Sequence, residues 1–207
     1  MVDHNITTVF DLLRHGEPTG GPMFRGSLDD PLSDTGWQQL NAAIIEGDHW
    51  DLIVTSPLMR CQAFARQLAE QRQLPVHEEP QLREIGFGDW EGRTSADIMA
   101  HTPDALNRFW NDPLNNPPPG GEAITEFSRR VTAAWQHWQR EAAGKRVLVV
   151  CHGGVIRMIL AEVMGIPLER SFSAIAVPYA CRSRIRIDES GHGVLSCLQS
   201  HGSHSAF

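Results

Sequence analysis

Arg146-Val147-Leu148-Val149-Val150-Cys151, running straight into His152-Gly153-Gly154, is the stretch on which the fold turns. Its six residues are apolar and β-branched enough to read as a buried strand. The histidine and two glycines that end it read as a loop opening a helix that runs to Met164. Strand, abrupt loop, helix is the unit from which parallel sheets are built.

Outward from that stretch the unit recurs. Thr7 to Leu13 is apolar apart from Asp11 and ends in Arg14-His15-Gly16. Asp51 to Thr55 (DLIVT) is broken by Ser56-Pro57, and Leu58 to Gln71 then has helical amphipathicity. Between these, Ser33 and Asp34 offer caps for a helix with Trp37, Leu40, Ile44 and Ile45 on one face. A longer helix runs from Glu122 to about Ala143. Arg182 to Asp188 alternates polar and apolar as an edge strand does, with Val194 to Leu198 as its partner, and the His/Ser/Gly tail, about 200–207, reads as mobile. The stretch 79–125 is punctuated by Pro103, Pro113, Pro117 to Pro119 and Gly120-Gly121. With short helical pieces at Ala96 to Met99 and Asp104 to Trp110, it reads as a lid-like insertion. With no internal repeat and no long linker, residues 1–207 are expected to form one domain, an α/β sandwich with a mostly parallel sheet whose ligand site lies at the carboxyl ends of the strands.

Composition narrows the partner. Eighteen basic against 25 acidic residues give a net charge of −7. That excludes the broad positive field on which nucleic-acid binding depends and favours a small molecule. Cys61, Cys151, Cys181 and Cys197 form no CxxC pair, no leader pattern is visible at the start, and no apolar run nears the roughly 20 residues of a membrane span. A reduced, cytoplasmic protein with no membrane partner is expected; a homodimer stays open.

The strand ends carry Arg14-His15-Gly16, Thr55-Ser56-Pro57 leading to Arg60, and Cys151-His152-Gly153-Gly154, so two arginines and two histidines converge on one rim. Arginine forks match phosphate oxygens, and a neutral imidazole beside them can attack phosphorus. Departure of the alkoxide needs a nearby carboxylic acid, for which the insertion offers Glu84, Asp89 and Glu91. Taken singly, these residues have ordinary readings: surface salt-bridge arginines, a satisfied loop histidine, a lid-surface carboxylate. Position at the strand ends favours the chemical reading for Arg14 and Arg60, and the two glycines favour it for His152, because Gly153-Gly154 lets backbone approach a ligand at a helix N-terminus.

Together, Leu13-Arg14-His15-Gly16-Glu17, Thr55-Ser56-Pro57-x-x-Arg60, Leu82-Arg83-Glu84-Ile85-x-Phe87-Gly88-x-Trp90-Glu91-Gly92 and Cys151-His152-Gly153-Gly154 resemble the histidine phosphatase, or phosphoglycerate mutase-like, superfamily. The resemblance implies a three-layer α/β/α sandwich and hydrolysis through a phosphohistidine. His15 would be the nucleophile, Arg14, Arg60 and His152 the phosphoryl ligands, Gly153 a backbone contact, and Glu84 the proton donor. It implies no metal and no cofactor. Gly88-Asp89-Trp90-Glu91-Gly92 and Phe24 to Leu32 are similar to the small phosphatases of that superfamily, bacterial α-ribazole phosphatases among them, which makes α-ribazole phosphate the expected substrate. A cofactor-dependent phosphoglycerate mutase and a non-catalytic phosphate-binding protein are the alternatives. Many members also carry an Asn soon after the RHG, where this chain has Gly20, Gly21 and Pro22. Arg25 is the candidate replacement, with a solvent-facing loop arginine as the other reading. His49, His77, His101, His137, His192, His201 and His204 are expected to be solvated. Trp90, Trp110, Trp135 and Trp138 read as packing, with Trp110 in reach of a substrate.

Overall fold

The computed structural model describes residues 5–203. In chain order its elements are β1 (Ile6–Arg14), α1 (Asp34–Ala43), β2 (Leu52–Thr55), α2 (Met59–Arg72), β3 (Val76–Glu78), α3 (Ser95–His101), α4 (Ala105–Asn111), α5 (Ile124–Glu141), β4 (Arg146–Cys151), α6 (Gly153–Met164), β5 (Arg182–Ser190) and β6 (Gly193–Gly202). The strands form one sheet in the order β3-β2-β4-β1-β5-β6. The first four are parallel, and β5 and β6 run antiparallel to their neighbours.

The strand periodicity of two sorts the side chains into two cores. Val147, Val149 and Cys151 of β4 join Phe10, Leu12 and Val54 on one face, beneath Phe127, Val131 and Trp135 of α5 and Val155, Ile156 and Ile159 of α6. Leu148 and Val150 join Leu13 and Ile53 on the other, beneath Leu40 of α1 and Phe64, Ala65 and Leu68 of α2. Each fully buried aliphatic side chain contributes about 1.5–3 kcal/mol, so β4 and β1, covered on both faces, are held tightly in this architecture. The result is a three-layer α/β/α sandwich.

Local signals set the helix ends. The Ser33 hydroxyl accepts from Gly36 N at 3.0 Å to cap α1, and Thr94 with Asp97 forms a reciprocal capping box on α3. The insertion is no detached flap, since Ile85, Phe87, Trp90, Ile98, Leu106 and Phe109 are buried in the first core.

Two expectations are corrected. β5 is an interior strand between β1 and β6. Its alternation reflects Ser183, Ile185 and Ile187 turned into the core, with Arg182, Arg184 and Arg186 on the opposite face. The edge is β6, and it continues through Ser200, His201 and Gly202, which pair with Arg184, Ser183 and Arg182. The start of the supposed mobile tail is therefore strand; residues 204–207, with His204, lie outside the described residues.

Register places the rim. Arg14 lies opposite Cys151 in the β1–β4 pair, and His15 N donates to Cys151 O at 2.9 Å. The residues that follow these two strands, His15 and His152, thus emerge side by side.

Candidate active site

His15 is buried, and its ring Nδ1 lies 2.7 Å from Gly16 O. A carbonyl can only accept, so Nδ1 carries the proton and Nε2 keeps its lone pair. Burial pushes the His15 pKa well below the usual imidazole value, and the Arg14 and Arg60 cations push it further the same way. The ring is a neutral base on the wall of a cleft of about 490 Å³.

Four arginines share that wall, Arg14, Arg25, Arg60 and Arg157. Arg14 donates from Nη1 to Val177 O at 2.7 Å and stacks 4.2 Å from the centre of the Tyr179 ring. Arg60, 1% exposed, donates to Leu28 O at 2.6 Å and Gly26 O at 3.1 Å. Arg157 donates from Nε to Ile175 O at 2.9 Å. Burial lowers the pKa values of Arg14 and Arg157. The Nε atoms of both Arg14 and Arg60 are buried with no hydrogen-bond partner among the described residues. An unpaired buried donor costs about 1–3 kcal/mol, and two beside a neutral imidazole are what an anion's oxygens would satisfy.

Glu84 supplies a carboxylate. Its Oε2 accepts from Gly154 N at 3.1 Å, at the start of α6, and its Oε1 from Ile85 N at 3.1 Å. A Cβ on Gly154 would fall 2.3 Å from Oε1, so this glycine is what lets the carboxylate sit on the helix N-terminus. Arg130 of α5 fixes the backbone behind it. It is paired with Glu122 at 2.7 Å and donates to Gln81 O, Arg83 O and Glu84 O.

With the geometry in place, the comparisons with known proteins decide the family. Residues 10–199 match the family described as "Histidine phosphatase superfamily (branch 1)". The chain belongs to the histidine phosphatase superfamily. It is 33% identical over 188 residues to an adenosylcobalamin/alpha-ribazole phosphatase of Escherichia coli, covering 86% of this chain and 89% of that one. It is 32% identical over 169 residues to a glucosyl-3-phosphoglycerate phosphatase of Mycolicibacterium vanbaalenii, covering 76% and 75%. A solved structure of a mycobacterial glucosyl-3-phosphoglycerate phosphatase complexed with VO3 is 28% identical, superposes with a TM-score of 0.81, and covers 94% of this chain and 99% of that one. This histidine phosphatase is a phosphatase like these relatives, and its expected family and fold hold.

Within the histidine phosphatase site, three residues sit differently from expectation. His152 does not line the cleft. It is fully buried beneath the site, 5.2 Å from His15 ring to ring in an edge contact, with Nε2 bonded to Ser56 Oγ at 2.7 Å. Arg25 lines the cleft but has its donors engaged by Asp30 (2.8 Å), Thr19 O (2.5 Å) and Met23 O (3.4 Å), so it locks its own loop and is not a spare cation. Gly153 lines the cleft, yet its role concerns arginines. A Cβ there would lie 3.1 Å from Arg157 Nη1, which would have to shift by a few tenths of an ångström, and in ordinary contact with Arg14 Nε at 3.4 Å.

Sequence reasoning misses Arg157 and Tyr179. Arg157 had a signal: four residues after Gly153 on a helix, it shares that residue's face. Tyr179 had none, since it is brought in by an irregular loop. Beyond the cations, Phe24, Phe87, Trp110 and Phe172 line the cleft, with Phe24 stacked over Trp110 at 6.5 Å and 29°. The expected contact position of Trp110 is thus a cleft-wall position. Among the described residues, no three His, Cys, Asp or Glu side chains are grouped to hold a metal, and no helix is long and apolar enough to cross a membrane.

Proposed function

We propose that the chain hydrolyses a small phosphomonoester through a phosphohistidine at His15. The observation that carries the reading is the pair of buried, unpartnered Nε donors on Arg14 and Arg60 beside a histidine held neutral with its Nε2 lone pair free. Nε2 attacks phosphorus while the arginines take up charge on the equatorial oxygens. The P–O bond to the alcohol breaks, and Glu84, in its acid form, gives the leaving oxygen its proton. In the second step Glu84 takes a proton from water, water's oxygen bonds phosphorus, and the P–N bond breaks, returning neutral His15 and inorganic phosphate. His152 supports the His15 ring from below.

For the alcohol, the aromatic wall favours a flat, uncharged group. α-Ribazole phosphate carries a bicyclic base that can stack on that wall, which phosphoserine and phosphoglycerate lack. The similarity to an alpha-ribazole phosphatase supports the same choice.

Rapid quench with labelled phosphomonoester is the test. Wild type is expected to trap an acid-labile phosphoenzyme that His15→Ala, folded by circular dichroism, lacks together with all turnover. A phosphoenzyme in His15→Ala would remove the nucleophile. Higher kcat/KM for phosphoserine than for α-ribazole phosphate would remove the substrate while leaving the mechanism intact.

A further inference from the structure

His201 was expected to be one more solvated histidine, and it is exposed, yet both ring nitrogens are engaged. Nε2 lies 2.7 Å from Ala176 O and Nδ1 2.7 Å from the hydroxyl of Ser183, which is fully buried on β5. Since the carbonyl only accepts, Nε2 carries the proton and Nδ1 accepts from Ser183. Cys181 Sγ sits 3.8 Å from both nitrogens and closes the pocket around the ring.

What His201 holds matters more than how it is held. Ala176 belongs to the irregular segment between the turn at Leu168–Arg170 and β5, which has no strand or helix of its own to fix it. Its neighbours on either side are the residues that aim two cleft arginines: Ile175 O accepts from Arg157 Nε at 2.9 Å, and Val177 O from Arg14 Nη1 at 2.7 Å. Tyr179, two residues on, carries the ring under Arg14. The hydrogen bonds send the carbonyls of 175 and 177 to the arginines and that of 176 to His201 of β6. The arginines pull the segment from one side, and His201 anchors it from the other.

We propose that His201 is a positioning residue for phosphoryl binding, setting Arg14 and Arg157 through the Ile175–Val177 carbonyls without touching substrate. The inference rests on the reading above that Arg14 grips the phosphoryl group, and it extends that role to its cleft neighbour Arg157.

The test compares vanadate inhibition, KM and kcat on p-nitrophenyl phosphate, and thermal midpoint, in wild type, His201→Ala, His201→Asn, His201→Gln and Arg14→Ala. A glutamine amide reaches the place of Nε2 and can donate to Ala176 O; an asparagine amide reaches only the place of Nδ1. His201→Ala and His201→Asn are expected to weaken vanadate binding and raise KM about tenfold, the worth of one hydrogen bond, with a smaller change in kcat. His201→Gln is expected to recover most of that loss. A purely structural role would lower the midpoint in all three variants and leave vanadate affinity of the folded enzyme unchanged. Wild-type affinity in folded His201→Ala, or equal loss in the Asn and Gln variants, overturns the inference. If His201→Ala does not fold, the Asn and Gln pair decides alone. Wild-type vanadate affinity in Arg14→Ala would instead overturn the reading of the arginine and the inference with it.

Discussion

Two arginine clusters flank β1 and are built on opposite rules. Around Asp11, Arg184 forms a bidentate pair at 2.8 and 2.9 Å, Arg182 pairs with Asp48 at 2.5 and 3.0 Å, and Trp50 adds its indole N–H to Asp11 at 2.8 Å. Two cations meet two carboxylates and the polar atoms are answered. Three residues along the same strand, Arg14 joins Arg60 and Arg157 with Glu84 as the one carboxylate of the cleft wall among the described residues, where two guanidinium nitrogens have no partner. The first cluster is complete as folded. The second carries a surplus of buried positive charge inside a chain of net charge −7, an arrangement that folding alone does not favour and that a bound anion would balance.

The contrast is sharpest if the clusters fail in different measurements. Arg14→Ala is expected to cut kcat/KM on p-nitrophenyl phosphate by about 10²–10³. Its thermal midpoint should move by less than about 2 °C, because a cation crowded by other cations has been removed. A large loss of stability would make the two clusters alike. Arg182→Ala should do the reverse, costing about 3 kcal/mol in urea unfolding by leaving buried Asp48 with only Ile45 N and the more distant Arg184, while kcat/KM of the folded enzyme stays within about twofold. Activity falling in step with stability would break the distinction.

Ligand linkage gives a third, smaller effect. Vanadate at about 100 times its Kd should stabilise the protein by about 2.7 kcal/mol. The gain should survive in Arg182→Ala and vanish in Arg14→Ala, as read by thermal shift. The smallest effect is on pH. His15 and His152 are both held well below the usual value, by burial first and by the neighbouring arginines second. The unfolded chain therefore binds protons near pH 6.5 that the native state refuses. Each histidine should make stability fall by about 1.4 kcal/mol per pH unit as pH drops below 6.5 toward its folded value. His15→Ala should flatten that slope in urea titrations between pH 6.5 and 5; an unchanged slope would mean His15 is not held neutral.

Most of the sheet is legible in the sequence because parallel strands are buried on both faces. Arg146–Cys151 matches its expected span to the residue, and the rim residues follow from where the apolar runs stop. Legibility fails where backbone pairing or loop closure carries the structure. Ser200-His201-Gly202 has no apolar signal, and its strand exists because β5 offers a free edge. β3, three residues long and half exposed, is below what periodicity can register. Arg25 reads as a cation in a loop, and only the fold reveals Asp30 across from it. Arg157 and Tyr179 join the site through the irregular segment before β5, whose path no local pattern predicts.

The strand order has a consequence for the timing of synthesis. β1 emerges from the ribosome first, yet its two neighbours in the sheet are β4 and β5, made of residues 146–151 and 182–190. Until those are translated, Phe10, Leu12 and Leu13 have no sheet to enter, and Arg14-His15 is the end of an unpaired apolar segment. His15 is thus made well before the two strands that hold β1 in the sheet. A nascent or prematurely terminated chain that stops before β4 would carry His15 without Arg157 and Tyr179 beside it, and the cleft forms only once β4 and β5 have been made.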